Sequence, residues 1–224
     1  MRSIGRLEKG LRNNSYVGAE HARPVQAKNM KIIFLDRDGV INQFPGYGSY
    51  VTKIREFHFI LGSLQAIRQL TQAGYKLFVI SNQAGVGKGI YSLQKLQRID
   101  AYMRRNVEKA GGKIHKSFYC THRADAGCDC RKPGIGLLKK ALKSLHKTIA
   151  HAQKAFFVGD SQGDIATGHR AGCKTIFVLC GRDNLRSLRQ WKVKPDFIVK
   201  DLKAAAKIIE YENSGHSHNG RSRA

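Results

Sequence analysis

The fold declares itself in residues 30–42, MKIIFLDRDGVIN. Lys31–Leu35 is a short apolar run that stops on Asp36, with a second carboxylate at Asp38 and Gly39 behind it. An apolar run without polar alternation is the pattern of a strand buried on both faces, as in a parallel sheet. Acids at i and i+2 leave such a strand on the same side, and Gly39 allows the chain to turn sharply after them. Open parallel sheets bind ligands beyond the carboxyl ends of their strands.

Outward from this run, strand and helix patterns alternate. Ser63–Ala73 has helical spacing at Leu64, Ile67 and Leu70, with Gly74 as its stop. Lys76–Ile80 reads as a strand ending at Ser81. Ser92–Ala110 reads as a helix with Leu93, Leu96, Ile99 and Met103 on one face. Ser117–Tyr119 is expected to be a short strand, Ile135–Leu145 a helix, and Ala155–Val158 a strand ending in Gly159 and Asp160. A helix over Asp164–Ala171, strands over Lys174–Leu179 and Asp196–Val199, and a helix from Leu202 complete the series. This order implies an α/β fold, a doubly wound parallel sheet of Rossmann-like type covered on both faces.

The 224 residues suffice for one such domain, assigned to 30–211, with short tails. Residues 1–29 show no periodicity and read as a disordered extension, with Met30 an alternative start. Residues 212–224 read as a disordered polar tail carrying His216 and His218. No apolar run approaches the roughly 20 residues that span a bilayer, no secretory signal is evident, and the expected location is the cytoplasm. Lys and Arg number 40 against 16 Asp and Glu, a formal charge of +24. Such a field attracts anionic small molecules and polyanions. A phosphorylated small substrate suits it, and nucleic acid is the less favoured partner because no nucleic-acid module is recognisable.

Four strand ends carry groups suited to phosphoryl chemistry. They are Asp36-Arg37-Asp38-Gly39, then Ser81-Asn82-Gln83 with a hydroxyl and two amides, then Arg131-Lys132-Pro133, then Gly159-Asp160-Ser161-Gln162-Gly163-Asp164. Transfer of a phosphoryl group to a carboxylate needs a divalent cation against charge repulsion. It also needs an acid for the leaving alkoxide and donors for the equatorial oxygens. Asp36, Asp38, Asp160, Ser81 and Lys132 supply that set from separate segments. Each motif alone has a plainer reading: a turn or calcium loop for D-x-D-G, a helix N-cap for G-D-x-x-x-D, a flexible turn for Gly85–Gly89.

In this combination the chain resembles the haloacid dehalogenase superfamily of phosphatases, over about residues 30–211. FLDRDGVIN is similar to its first motif, VISNQ to its second, the lysine of CRKPG to its third and VGDSQGD to its fourth. The resemblance implies Asp36 as nucleophile and Asp38 as general acid/base. It implies Ser81, Asn82, Gln83, Arg131 and Lys132 as phosphate- and substrate-binding groups. Magnesium would be held by Asp36, Asp160 and the backbone carbonyl of Asp38, with Asp164 in support. Within the superfamily the chain is most similar to a group lacking a large cap domain, which contains heptose-bisphosphate and histidinol-phosphate phosphatases and carries a zinc loop. The stretch after Asn42 and NQAGVGKGIYS favour a heptose 1,7-bisphosphate over histidinol phosphate. A polynucleotide 3′-phosphatase is a further alternative, and a monomer is expected.

Cys120, His122, Cys128 and Cys130 form C-x-H-x5-C-x-C, a closed tetrahedral set suited to a structural zinc ion. Cys173 and Cys180 are expected to be buried packing residues.

Overall fold

A computed structural model describes residues 30–214 of the chain. The central strands are β1 (Ile32–Leu35), β2 (Lys76–Asn82), β4 (Phe156–Gly159) and β5 (Lys174–Val178), flanked by β3 (Ile114–Cys120) and β6 (Phe197–Val199). They form one six-stranded sheet in the order β3-β2-β1-β4-β5-β6, every adjacent pair parallel. The order reverses between β1 and β4, and that switch point is where open α/β sheets form a crevice.

Strand geometry sends successive side chains to opposite faces, and the two cores follow that division. Ile33, Leu35, Leu77, Val79, Val158, Ile176 and Val178 meet α1 (Ser63–Gln72), α3 (Leu93–Lys109) and α7 (Leu202–Asn213) on one face. Ile32, Phe34, Phe78, Ile80 and Phe157 meet α4 (Gly136–Lys143) on the other. Phe34 lies between Phe78 and Phe157 at centroid distances of 5.9 and 6.2 Å. Burial stabilises each such ring by about 1.5–3 kcal/mol, which holds the strand ends at fixed spacing. A third cluster joins Ile165 of α5 (Gln162–Ala171) with Phe177, Leu188 and Trp191. Ser92 caps α3 by accepting from the Lys95 amide, and Asp201 caps α7 by accepting from Ala204.

Several boundaries differ from the sequence expectation. β3 runs seven residues from Ile114 rather than three, because its side chains are only partly covered and Lys113, His115 and Lys116 mask the apolar pattern. Gly85–Gly89 is not simply a turn: Ala84–Gly87 forms a short helix, α2. A second short helix, α6 (Leu185–Leu188), was not anticipated. α7 extends two residues past Tyr211, into the stretch assigned to the tail, while the expectations for residues 1–29 and for His216 and His218 lie outside the described residues. All strands and helices among the described residues belong to this one sheet and its cover, with no separate cap. No helix among them is long and apolar enough to cross a membrane.

Candidate active site

β1 and β4 place the first and fourth motifs side by side. The Asp36 amide donates to the Val158 carbonyl at 3.0 Å, carrying the strand pairing one residue past β1. Asp36 is thereby set beside Asp160, the residue that follows β4. Gly39 (φ +85°) and Gly181 close over the Asp160 carboxylate so tightly that a Cβ on either would overlap it. The Asp160 Oδ2 accepts from the Arg182 amide at 2.6 Å.

Carboxylate oxygens of Asp36, Asp160 and Asp164 all lie within 4.8 Å of one another, and all three residues are buried. Lys132 is the cation among them. Its Nζ lies 2.8 Å from Asp36 Oδ1 and 2.5 Å from Asp164 Oδ1, and donates to the Ile80 carbonyl at 2.9 Å. Asn82 fixes that lysine through its backbone: Lys132 N donates to Asn82 Oδ1 (3.0 Å) and Asn82 Nδ2 donates to Lys132 O (3.2 Å). Asp164 serves two structures at once. Besides meeting Lys132, its Oδ2 accepts from the Ser161 hydroxyl (2.5 Å) and amide (3.1 Å), completing a capping box at the start of α5.

The electrostatics follow from burial. Removal from water pushes the Asp36 carboxyl up to about 6, opposed by Lys132 and reinforced by Asp164. Asp160 is raised well above the usual carboxylate range by burial, with Asp164 and Asp36 adding to it. Burial alone would lower Lys132, but Asp164 and then Asp36 outweigh it and raise the ammonium. Three buried acids on one lysine leave an excess of negative charge. An all-oxygen set of this kind suits a hard divalent cation.

Asp38 lines the same cavity, yet its carboxylate is turned to other partners. Oδ1 accepts from Arg37 Nε and Nη2 (3.1 and 3.0 Å) and Asn42 Nδ2 (2.8 Å); Oδ2 accepts from Arg37 Nη2 (2.9 Å) and Gln83 Nε2 (2.8 Å). Gln83 is 1% exposed and stands behind Ser81, whose hydroxyl takes a second bond from Gln83 Nε2 at 3.2 Å. Arg37, Asn42 and Tyr91, which back this network, were not among the candidate site residues of the sequence. The available signal was a cation set between two acids in a segment otherwise built for burial.

The cavity holds about 600 Å³ and opens over the acids. Its walls include Tyr47, Tyr50, Arg131, Arg182, Gln190 and Trp191. Tyr47 reaches across to donate to the Arg182 carbonyl at 2.8 Å, with the Arg182 guanidinium 5.5 Å from its ring. Neither residue stood out in the sequence. Cys180, expected to be buried, is only partly so, and its Sγ lies 3.3 Å from the Gly39 carbonyl; Cys173 is buried as expected.

At the end of β3, Cys120, His122, Cys128 and Cys130 converge. Sulfur separations are 3.3, 3.4 and 3.6 Å, and His122 Nδ1 lies 3.1 Å from Cys130 and 3.8 Å from Cys120. Tetrahedral zinc thiolates at about 2.3 Å from the metal stand roughly 3.8 Å apart, so the donors fit such an ion with small outward shifts. Burial raises the Cys120 thiol, and burial with its sulfur neighbours raises Cys130 to about 12. Burial opposes ionisation of Cys128 too, but hydrogen bonds from Cys130 and the Arg131 amide outweigh it and bring Cys128 to about 6. Packed thiols resist becoming thiolates together unless a cation joins them.

A HAD-hydrolase-like family model matches residues 129–205. The chain is 37% identical over 180 residues to the D-glycero-β-D-manno-heptose-1,7-bisphosphate 7-phosphatase of Pseudomonas putida, covering 80% of this chain and 99% of that protein. It is 38% identical over 153 residues to the enzyme of the same name from Neisseria meningitidis serogroup A, covering 68% and 79%. Among solved structures, it is similar to the D,D-heptose 1,7-bisphosphate phosphatase of B. bronchiseptica complexed with magnesium and phosphate. That match has a TM-score of 0.74 and 34% identity, over 82% of this chain and 99% of the other.

Proposed function

This chain belongs to the haloacid dehalogenase-like phosphatases that include the heptose-1,7-bisphosphate 7-phosphatases, and from that premise we propose that it removes the 7-phosphate of D-glycero-β-D-manno-heptose 1,7-bisphosphate. The observation that carries the reading is the buried set Asp36, Asp160, Asp164 and Lys132 at the floor of a polar cavity. The volume of about 600 Å³ accommodates a phosphorylated sugar. Arg131 and Arg182 in its walls are suited to the second phosphate. Both curated relatives above are named for the β-anomer.

Asp36 is the nucleophile: one carboxylate oxygen bonds to phosphorus as the ester P–O bond breaks, giving a phospho-aspartate. Asp38 gives its proton to the departing sugar oxygen, then takes one from the water that attacks phosphorus and frees Asp36. Ser81 and Lys132 hold non-bridging phosphate oxygens. Asp36, Asp160 and the Asp38 carbonyl would hold magnesium, with Asp164 in support, and the ion would supply the positive charge that lets a carboxylate approach a phosphate. Cys120, His122, Cys128 and Cys130 would hold zinc in a structural role, since four protein donors leave no open position. The ion would fix the loop that leads into Arg131 and Lys132.

The test is a kinetic comparison, in magnesium, of the two anomers of the heptose bisphosphate, histidinol phosphate and a 3′-phosphorylated oligonucleotide. The β-bisphosphate should have the highest kcat/KM; preference for either of the last two would replace the substrate assignment.

A further inference from the structure

Arg37 lies between the two acids of the first motif and has 0% exposure. Its guanidinium is not part of the cavity wall. Instead it faces Phe57 and Tyr119, with its central carbon 5.9 Å from each ring centroid. Burying a guanidinium is costly, and Nη1 is buried without a hydrogen-bond partner among the described residues. Packing alone does not account for a cation there.

What Arg37 does hold is Asp38. Three of its hydrogen bonds go to the two Asp38 oxygens, in a two-pronged arrangement. Asn42 and Gln83 add one bond each, so five bonds fall on a carboxylate with about four good acceptor positions. Gln83 is itself tied down: its Oε1 accepts from Arg37 Nη2 at 3.1 Å and from the Tyr91 hydroxyl at 2.6 Å. The same amide nitrogen that meets Asp38 also meets the Ser81 hydroxyl.

Resting on the functional reading above, we propose that Arg37, braced by Gln83, is a positioning residue that sets the orientation of Asp38 and couples it to Ser81. A carboxylate whose lone pairs are all engaged cannot deliver a proton to a leaving oxygen in that orientation. Productive turnover requires Asp38 to swing partly free, toward the cavity, and to return to the same place for the water step. Arg37 sets both ends of that movement. Gln83 is the shared contact: its two amide N–H groups go one to Asp38 and one to Ser81, so a phosphate that re-aims the Ser81 hydroxyl also shifts the amide that holds Asp38.

A double-mutant cycle tests the idea on the full-length, magnesium-loaded protein with the sugar bisphosphate. Arg37→Met should lower kcat by about 10- to 100-fold with KM changed by less than about threefold, because it disturbs an orienting contact and leaves binding intact. In an Asp38→Asn background the same change should cost less than about twofold, since the residue it acts through has already been removed. Arg37→Lys should recover part of the lost kcat. Losses that multiply across the cycle would show that Arg37 only holds the fold, and would overturn the inference. If Arg37→Met does not fold, Gln83→Leu run through the same cycle decides it, with a multiplicative result again overturning it. Turnover surviving in Asp36→Asn would remove the functional reading and this inference together; multiplicative losses with Asp36→Asn inactive remove the inference alone.

Discussion

The acid cluster and the cysteine loop sit within a few residues of each other in the chain, at Lys132 and Cys130, yet they are held by different physics. Asp36 and Asp160 are placed by the pairing of β1 with β4 and by three phenylalanines packed beneath them. The acids have their geometry before any ligand arrives. Residues 121–130 are all exposed or half-buried, with Cys120 just before them the buried member of the cluster, and have no apolar core of their own. What draws them together is a set of four metal-type donors. One region is preorganised by hydrophobic burial, the other converges on a donor set suited to a metal ion. The lysine between them follows the loop directly in the chain, yet its backbone is held by Asn82 of β2 and its ammonium by Asp36 and by Asp164 of α5.

This contrast can be broken in order of expected size. Asp36→Asn should lower turnover by at least about a thousandfold while zinc content and thermal midpoint stay near wild type. A parallel loss of zinc would mean the two regions are not separate. Lys132→Met should destabilise the metal-free protein by about 3–5 kcal/mol, because it leaves buried carboxylates unpaired; urea denaturation measures this. Zinc removal, or Cys128→Ser, should lower kcat/KM by roughly 10- to 100-fold through misplacement of Arg131 and Lys132. Limited proteolysis should then cut within residues 121–130 and spare the sheet. Cleavage elsewhere would show that the loop supports more than itself.

The smallest effect concerns the network behind the acids. Burial raises the Tyr91 phenol from 10 to about 12, helped by Asp38 and opposed by Arg37. A raised pKa means the folded state keeps the proton longer than the unfolded one. The contribution is therefore full below about pH 10 and is lost as pH rises through about 12. The urea midpoint of wild type should fall over that window more than that of Tyr91→Phe.

Much of this was legible in the sequence because it was written in local patterns. An apolar run ending on Asp36 needs no tertiary knowledge to be read as a buried strand, and C-x-H-x5-C-x-C names its own ligands by spacing. β3 was seen only in its middle because an edge strand is half exposed and carries lysines. The partners of Asp38 were not legible. Gln83 looked like a phosphate donor from its place two residues after Ser81, but its amide is taken up by Asp38, Ser81, Arg37 and Tyr91 and is buried among them, partners that only the folded chain assembles. Tyr91 and the Tyr47–Arg182 contact join segments 8 and 135 residues apart, and only the folded chain brings them together.

The central claim is covalent chemistry on Asp36, and trapping tests it most directly. Enzyme quenched in acid during turnover of substrate labelled in the 7-phosphate should carry label on the peptide containing Asp36, and Asp36→Asn should carry none. Turnover without label on that peptide, or label retained on another residue when Asp36 is replaced, would contradict the account.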